Sequence, residues 1–290
     1  MLRFAVPVLI VLTASACSNA CLHEEDRSAE ESLDGIERVV LTSDRGSLRV
    51  EGEEARTSLS ARGRACTALR SDLKDVRIET RREGATLFVT AAIPELSWMP
   101  LDALFVPAAL DLTVTMPAGM TLDVRDGRGE MILVGVGNTT VKDSSGEITV
   151  RDVQGDLHIE DGSGSIDING VSGDVTVRDG AGSVSIVNVG GSVHIPTDGS
   201  GSIRIADVRK DVRIDDDGSG DIRIERVDGL VEIRDDGSGS IHIQTVGRDV
   251  IIGDDGSGGI YVADVAGDFV VRDAGSGGVR HERIKGNVRY

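Results

Sequence analysis

Aromatic side chains are nearly missing from this chain: four Phe, two Tyr and one Trp in 290 residues. A compact globular core normally relies on aromatic bulk, so the core must be thin and built of Val, Ile and Leu. Positive charge is also short, with 31 Lys and Arg against 49 Asp and Glu and a net charge of −18. That balance argues against nucleic acid, whose binding needs clustered cations. It argues equally against polybasic contact with an anionic membrane surface. Scarce aromatics with high charge could signal disorder, but the regular order described below excludes it. What the chain has in quantity is glycine, 37 residues of it.

The segment 1–20 does not belong to the fold. Arg3 is a minimal positive region, Phe4 to Leu12 ("FAVPVLIVL") is apolar, and "ASACSNAC" supplies small residues. This is the pattern of a secretory signal, too short to span a bilayer as a helix. Ser18-Asn19-Ala20 gives an ordinary cleavage site before Cys21. Ala14-Ser15-Ala16 gives an alternative exit, a lipoprotein signal ending at 16 with Cys17 as the lipidated residue. No later segment is apolar enough to cross a membrane, so membrane contact is expected only through such an N-terminal lipid anchor.

Further along, one phrase keeps returning: "DDDGSGDIRI" at Asp215–Ile224, "DDGSGSIHI" at Asp235–Ile243, "DDGSGGIYV" at Asp254–Val262. Its last Gly recurs at Gly129, Gly146, Gly164, Gly182, Gly201, Gly220, Gly239, Gly258 and Gly277, in steps of 17, 18, 18 and then 19 throughout. A second marker, Val136 to Val265 and then Ile284, keeps the same steps. A fixed period of about 20 residues means a repeat architecture. Each unit carries two alternating runs, such as Val212-Arg213-Ile214 and Ile222-Arg223-Ile224. Period-two alternation is the signature of a half-buried strand. Two strands and two turns per unit make one coil of a flattened parallel β-solenoid, stacked at ~4.8 Å per coil. The inward Val and Ile form ladders that no coil could bury alone. A meander of hairpins is the competing all-β arrangement; the likeness of equivalent positions favours parallel stacking of like on like. The expected organisation is therefore an irregular β region over 21–124, with an apolar insertion at 93–110, and about nine regular coils over 125–290.

The Asp–Gly runs admit two readings. As turns, their glycines supply positive φ and their aspartates bond the backbone two residues on. The greater length of the later units is then one extra residue placed in this turn. As a calcium site, Asp161, Asp198, Asp217, Asp236, Asp255 and Asp273 would form a column of carboxylates ~5 Å apart, mutually repelling unless a hard cation intervenes. Calcium-binding β-rolls, however, use a nine-residue repeat with Asp after the glycines. The turn reading is preferred, with Asp198, Asp217, Asp236 and Asp255 kept as calcium candidates and no other metal or cofactor expected.

Little else has the look of chemistry. The five His are scattered, and His158 and His194 share an outward column two coils apart, too far to share a metal. No Ser–His–Asp set can be assigned, and acidic pairs are too common to mark a glycosidase. Trp98, Leu101 and Phe105 sit at helical spacing beside Pro100. They read as a cover for the open end of the solenoid or as a partner patch.

At "LDLTVTMPAGMTLDVRDGRGEMILVGV" and the units that follow, the sequence resembles a bacterial family of β-strand-repeat proteins known as putative adhesins, over roughly 36–290. The Cys21-Leu22-His23 opening and "GRAC" at Gly63–Cys66 resemble an exported proteobacterial branch. The resemblance implies a coil-building fold and an envelope or surface ligand, protein or polysaccharide; it carries no catalytic residue. The expected function is a non-catalytic, exported β-solenoid in the periplasm or on the outer surface, acting in binding or as a scaffold. The alternatives are a calcium-stabilised β-roll and, behind it, a carbohydrate-active β-helix enzyme. Both signal exits leave Cys21 and Cys66 together in an oxidising compartment, which predicts a disulfide between them.

Overall fold

The computed structural model describes residues 21–93 and 108–290. The expected signal segment, with Cys17, and the Trp98, Leu101 and Phe105 cluster lie outside the described residues. The chain is a parallel β-solenoid of about nine turns. Each regular coil gives one strand to each of two sheets, which have thirteen strands apiece among the described residues. Successive coils pair in parallel and in register, Val212 with Val231 with Val250 in one sheet and Ile222 with Ile241 with Ile260 in the other. The core is the space between the sheets. Val212, Ile214, Ile222 and Ile224 are each wholly buried there, and the same four positions repeat in coil after coil. Branched side chains suit this site because their restricted χ1 fits the pleat and like shapes stack without voids.

The glycine pattern follows from the stacking. Gly220 has φ of +141°, and a Cβ placed on it would stand 1.6 Å from the carbonyl oxygen of Gly201 in the preceding coil. Any side chain there would force the coils apart, so the last glycine of the turn is dictated by the close approach of backbones.

The extra residue of the later units is not in this turn, contrary to the sequence reading. Asp179-Gly180-Ala181-Gly182 and Asp198-Gly199-Ser200-Gly201 are the same length. The register instead shifts in the strand ahead of it: Thr176 pairs with His194, but Arg178 pairs with Thr197 and Asp179 with Asp198. The extra residue is a β-bulge within the Val193–Asp198 strand, where Pro196 and Thr197 occupy the span that Arg178 fills alone one coil earlier. Proline is tolerated at a bulge because no ladder donor is needed there.

Among the described residues nine strands build the N-terminal end: β1 (His23–Ser32), β2 (Arg38–Ser43), β3 (Leu48–Glu53), β4 (Ser58–Thr67), β5 (Arg77–Glu83), β6 (Thr86–Ala92), β7 (Ala109–Pro117), β8 (Thr121–Asp126) and β9 (Met131–Val134). They continue the array, but not in chain order. β2 and β3 form a coil that is sandwiched between the later coil β6–β7 and the coil β8–β9. The end is then closed by antiparallel strands, β4 on β7, β1 on β4 and β5 on β6. The outermost strands β1 and β5 carry mostly charged, exposed side chains, which blunts the edge against further pairing.

The predicted disulfide is present. Cys21 and Cys66 are bonded with their Cα atoms 5.5 Å apart and a sequence separation of 45. It fastens the start of β1 to the end of β4, the pair that closes the solenoid. In the chain-entropy treatment a loop of this size restricts the unfolded chain by about 4 kcal/mol.

The inside–outside phase makes a sharp test. Ile224 is wholly buried while Arg223, its neighbour, is exposed. Ile224→Asp places an uncompensated charge in the ladder and is expected to lower unfolding free energy by about 4 kcal/mol or more. Arg223→Asp is expected to change it by under about 1 kcal/mol. Urea unfolding of both variants checks the difference, and similar losses would contradict the assigned faces.

Candidate functional site

Two aspartate columns run along the solenoid, and their surroundings are opposite. The first starts at Asn138 and lies at the corner between the sheets. The side-chain oxygen of Asn138 accepts the amide of Asp156 at 2.9 Å, Asp156 accepts that of Asp174 at 2.8 Å, and Asp174 that of Ser192 at 2.8 Å. The pattern continues from Asp211 to the Leu230 amide, Asp249 to Asp268 and Asp268 to Asn287. These carboxylates reach solvent and each ties its coil to the next. Their role is structural.

The second column is Asp126, Asp143, Asp161, Asp179, Asp198, Asp217, Asp236 and Asp255, one at the start of each Asp–Gly turn. Asp143 through Asp255 stack in unbroken register, and Ser43 pairs with Asp126 at the head. All eight side chains point inward beside the Val and Ile ladders; Asp198 and Asp217 are each 1% exposed. Both carboxylate oxygens of every member but Asp143 are buried without a hydrogen-bond partner, as is the hydroxyl of Ser43. Asp143 receives one turn amide, that of Ser144, at 2.8 Å. At Asp126, Asp161, Asp179, Asp198, Asp217 and Asp236 the turn amides face the carboxyl groups and favour their charge without closing a bond.

Burial and mutual repulsion raise the pKa values of this column. Desolvation pushes Asp217 up to about 7, aided by the charges of Asp198 and Asp236 on either side. The same causes lift Asp126 to about 7 and Asp161, Asp198 and Asp236 to about 6. Asp143, Asp179 and Asp255 move upward too, chiefly through burial. The column is thus poised to gain and lose protons near neutrality.

Sequence reasoning placed Asp161, Asp198, Asp217, Asp236 and Asp255 in one column, and the structure brings them together. It does not bring in Asp273, which is exposed and in register with Asp254. It adds Asp126, Asp143 and Asp179, which sequence reasoning passed over although Val124-Arg125-Asp126, Val141-Lys142-Asp143 and Val177-Arg178-Asp179 repeat the aliphatic-x-Asp order of Ile159-Glu160-Asp161. Among the described residues no three His, Cys, Asp or Glu side chains converge on one point. Any cation in the column would have to bridge successive coils.

The other feature of the shaft is a long shallow groove along the corner that follows the second strand of each coil. Its floor is the column Val153, Val171, Val189, Val208, Val227, Val246, Val265 and Ile284. One wall is made by residues in the left-handed region, among them Asn188 (φ 63°), Arg226 (φ 58°) and Asp264 (φ 59°). The groove opens into two hollows of about 680 and 700 Å³ that share Arg226 and Asp228. At ~4.8 Å per coil the floor extends roughly 34 Å. Bidentate ion pairs brace the wall: Arg226 to Asp207 at 2.7 and 2.9 Å, and Arg283 to Asp264 at 2.5 and 2.9 Å.

His158 and His194 sit in the same outward column with Thr176 between them, as expected. His158 contacts Glu160 at 3.2 Å and His194 contacts Asp215 at 2.8 Å. Among the described residues no serine or cysteine hydrogen-bonds to either imidazole. The groove and the two columns together define a capped, acidic parallel β-solenoid with a shallow groove along its shaft.

No protein-family model matches the chain, and no curated protein matches it. Solved structures do. A protein from Parabacteroides distasonis described as a putative lipid binding protein is 16% identical, with a TM-score of 0.45, covering 89% of this chain and 96% of its own. A putative cell adhesion protein from Clostridium sporogenes is 11% identical over 90% of this chain and 100% of its own, TM-score 0.33. A putative adhesin from Bacteroides fragilis is 11% identical over 91% and 96%, TM-score 0.31. Likenesses this distant leave the role of the chain to its own geometry.

The inward column predicts an inverted acid response. An aspartate whose pKa is raised in the folded state binds its proton more tightly there than in the unfolded chain. Its contribution is complete below pH about 4 and is lost as pH climbs through 6 to 7. In the presence of a chelator, Tm is expected to fall between pH 5.5 and pH 8. Asp217→Asn, which stays neutral, is expected to raise Tm at pH 8 and leave it nearly unchanged at pH 5.5. Calorimetry across this range checks both, and a Tm that rises with pH would contradict the ladder's protonation.

Proposed function

We propose that this chain is a non-catalytic, exported envelope protein that binds an extended ligand, a protein segment or a polysaccharide, along its shaft. The observation that carries this reading is the groove. It passes eight coils without interruption, and its walls offer charges of both signs and backbone polar groups at a constant step, the geometry of a site for a linear chain. The apolar segment Phe4–Leu12 followed by small residues supports export, and the Cys21–Cys66 disulfide belongs to an oxidising compartment. Whether the processed chain begins at Cys21 or is held by a lipid on Cys17 decides between a free periplasmic and a membrane-tethered form.

The test combines location with blocking of the groove. Ser172→Trp and Ala266→Trp put bulk at exposed positions on the groove wall without touching the core. The processed protein is expected in the envelope fraction and retained by envelope material, and each Trp variant is expected to lose most of that retention while keeping its Tm. Cytoplasmic location would defeat the export reading; retention unchanged in both variants would defeat the groove.

A second reading is favoured by one observation, the buried carboxylate oxygens that lack any partner. A hard divalent cation such as calcium, held between coils by Asp198, Asp217, Asp236 and Asp255, would neutralise them. The chain would then be a calcium-stabilised β-roll. Millimolar calcium at pH 7.5 is expected on this reading to raise Tm by more than about 10 °C over chelator through preferential binding to the folded state, with much of the gain lost in Asp217→Asn. No shift with calcium removes it.

A further inference from the structure

The outward face of the sheet that contains Ile222–Val227 carries a feature at odds with the charge of the molecule. In five successive coils the central outward position is held by Arg204, Arg223, His242, Tyr261 and Arg280, paired in register from strand to strand. No carboxylate interrupts this column, although the protein carries a net charge of −18. At ~4.8 Å per coil it extends roughly 19 Å along the shaft.

Packing does not account for it. Like charges directly opposite one another on adjacent strands destabilise a sheet, and Arg204 lies directly opposite Arg223. Arg223 turns aside to Glu225 at 2.5 Å. Arg204 and Arg280 have no carboxylate within ion-pair distance among the described residues, whereas the neighbouring Arg226 and Arg283 are fully engaged. Their guanidinium groups are left free for another molecule.

Between these arginines lie two of the chain's few rings. His242 and Tyr261 stack with centroids 4.7 Å apart and planes inclined by 36°. The ground beside them is flat. A Cβ added at Gly259 or Gly278, in the strand-entry positions next to Tyr261 and Arg280, would meet nothing within 4 Å. On the other flank Ala263 is wholly buried. The rings therefore rise from a level surface that a planar or ring-shaped group can approach.

We propose that this stripe is a binding site for a linear acidic polysaccharide, distinct from the corner groove. Guanidinium groups grip carboxylates or sulfates with paired hydrogen bonds, and the His242–Tyr261 pair supplies a stacking platform for the apolar face of a sugar. The constant coil step matches a ligand that repeats one charged unit after another. A nucleic acid fits less well, because successive bases call for a run of stacking rings and the stripe holds the single pair His242–Tyr261.

The test uses the full processed chain with polygalacturonate, which has one carboxylate per sugar, and with dextran and single-stranded DNA as comparisons. Calorimetric titration at low salt is expected to show polygalacturonate binding that weakens as salt rises, and no heat with dextran. Arg204→Ala with Arg280→Ala is expected to weaken binding at least about tenfold, a change of ~1.4 kcal/mol. Tyr261→Ala is expected to weaken it about fivefold, with Tm within about 3 °C of the parent, as is usual for a surface substitution. Arg178→Ala, exposed on the opposite sheet, is expected to leave affinity unchanged, as are the groove-filling Ser172→Trp and Ala266→Trp. Absence of polygalacturonate binding, equal loss with Arg178→Ala, or tighter binding to single-stranded DNA would overturn the proposal. None of these outcomes bears on retention by the groove.

Discussion

Everything in this molecule depends on parallel, in-register stacking of one coil on the next. The backbone ladders in both sheets require it, and so does the burial of Val and Ile, since a single flattened coil has no interior of its own. The stacking sets a step of ~4.8 Å and holds it over the shaft. Once that step is imposed, each position in a coil meets its own counterpart above and below. Residue choice at any position then becomes a choice about a column. Glycine at the end of the Asp–Gly turn is the severest case, because a Cβ at Gly220 would stand 1.6 Å from the Gly201 carbonyl oxygen.

The same logic makes columns of charge, and the protein treats them in three ways. At one corner, carboxylates such as Asp156 and Asp174 accept the amide of the next coil, so repetition is harmless. Along the groove, two pairs of opposite charge on adjacent coils brace one another, Arg226 with Asp207 and Arg283 with Asp264. In the interior, repetition is unrelieved: Asp198, Asp217 and Asp236 follow one another out of water with only turn amides for company. Protons or cations must settle that column, and the raised pKa values place the balance close to neutral pH.

A solenoid also needs ends. Here the N-terminal end is closed by reversing strand direction: β4, β1 and β5 run antiparallel to their neighbours, and the Cys21–Cys66 bond clasps the closing pair. Antiparallel pairing breaks the like-on-like rule, so the cap lacks the repeat's regularity and carries charged outer strands. The shaft beyond it is free to present long uniform surfaces. A uniform surface suits a ligand that is itself extended and repeating better than a small molecule, which would find the same shallow site many times over.

The repeat, the strand phase and the inward identity of residues such as Val212 and Ile224 were legible in the amino-acid order, because period-two alternation is a local property and a fixed spacing is visible without any fold. The pairing of Cys21 with Cys66 could be read from the oxidising compartment implied by the apolar stretch Phe4–Leu12 and the small residues after it. The tertiary structure alone decided the rest. It kept the aspartates of the longer coils inward: Asp179 faces in by plain alternation from Val177, and a β-bulge ahead of Asp198 restores that face after the extra residue, a bulge being defined only against a partner strand. It slid the coil β2–β3 between two later coils, since stacking order is settled by which edges bury each other and not by which is made first. It lined up Arg204, Arg223, His242, Tyr261 and Arg280, whose individual positions are ordinary along the chain. Their meaning arises because residues one full coil apart in sequence stand side by side in the sheet.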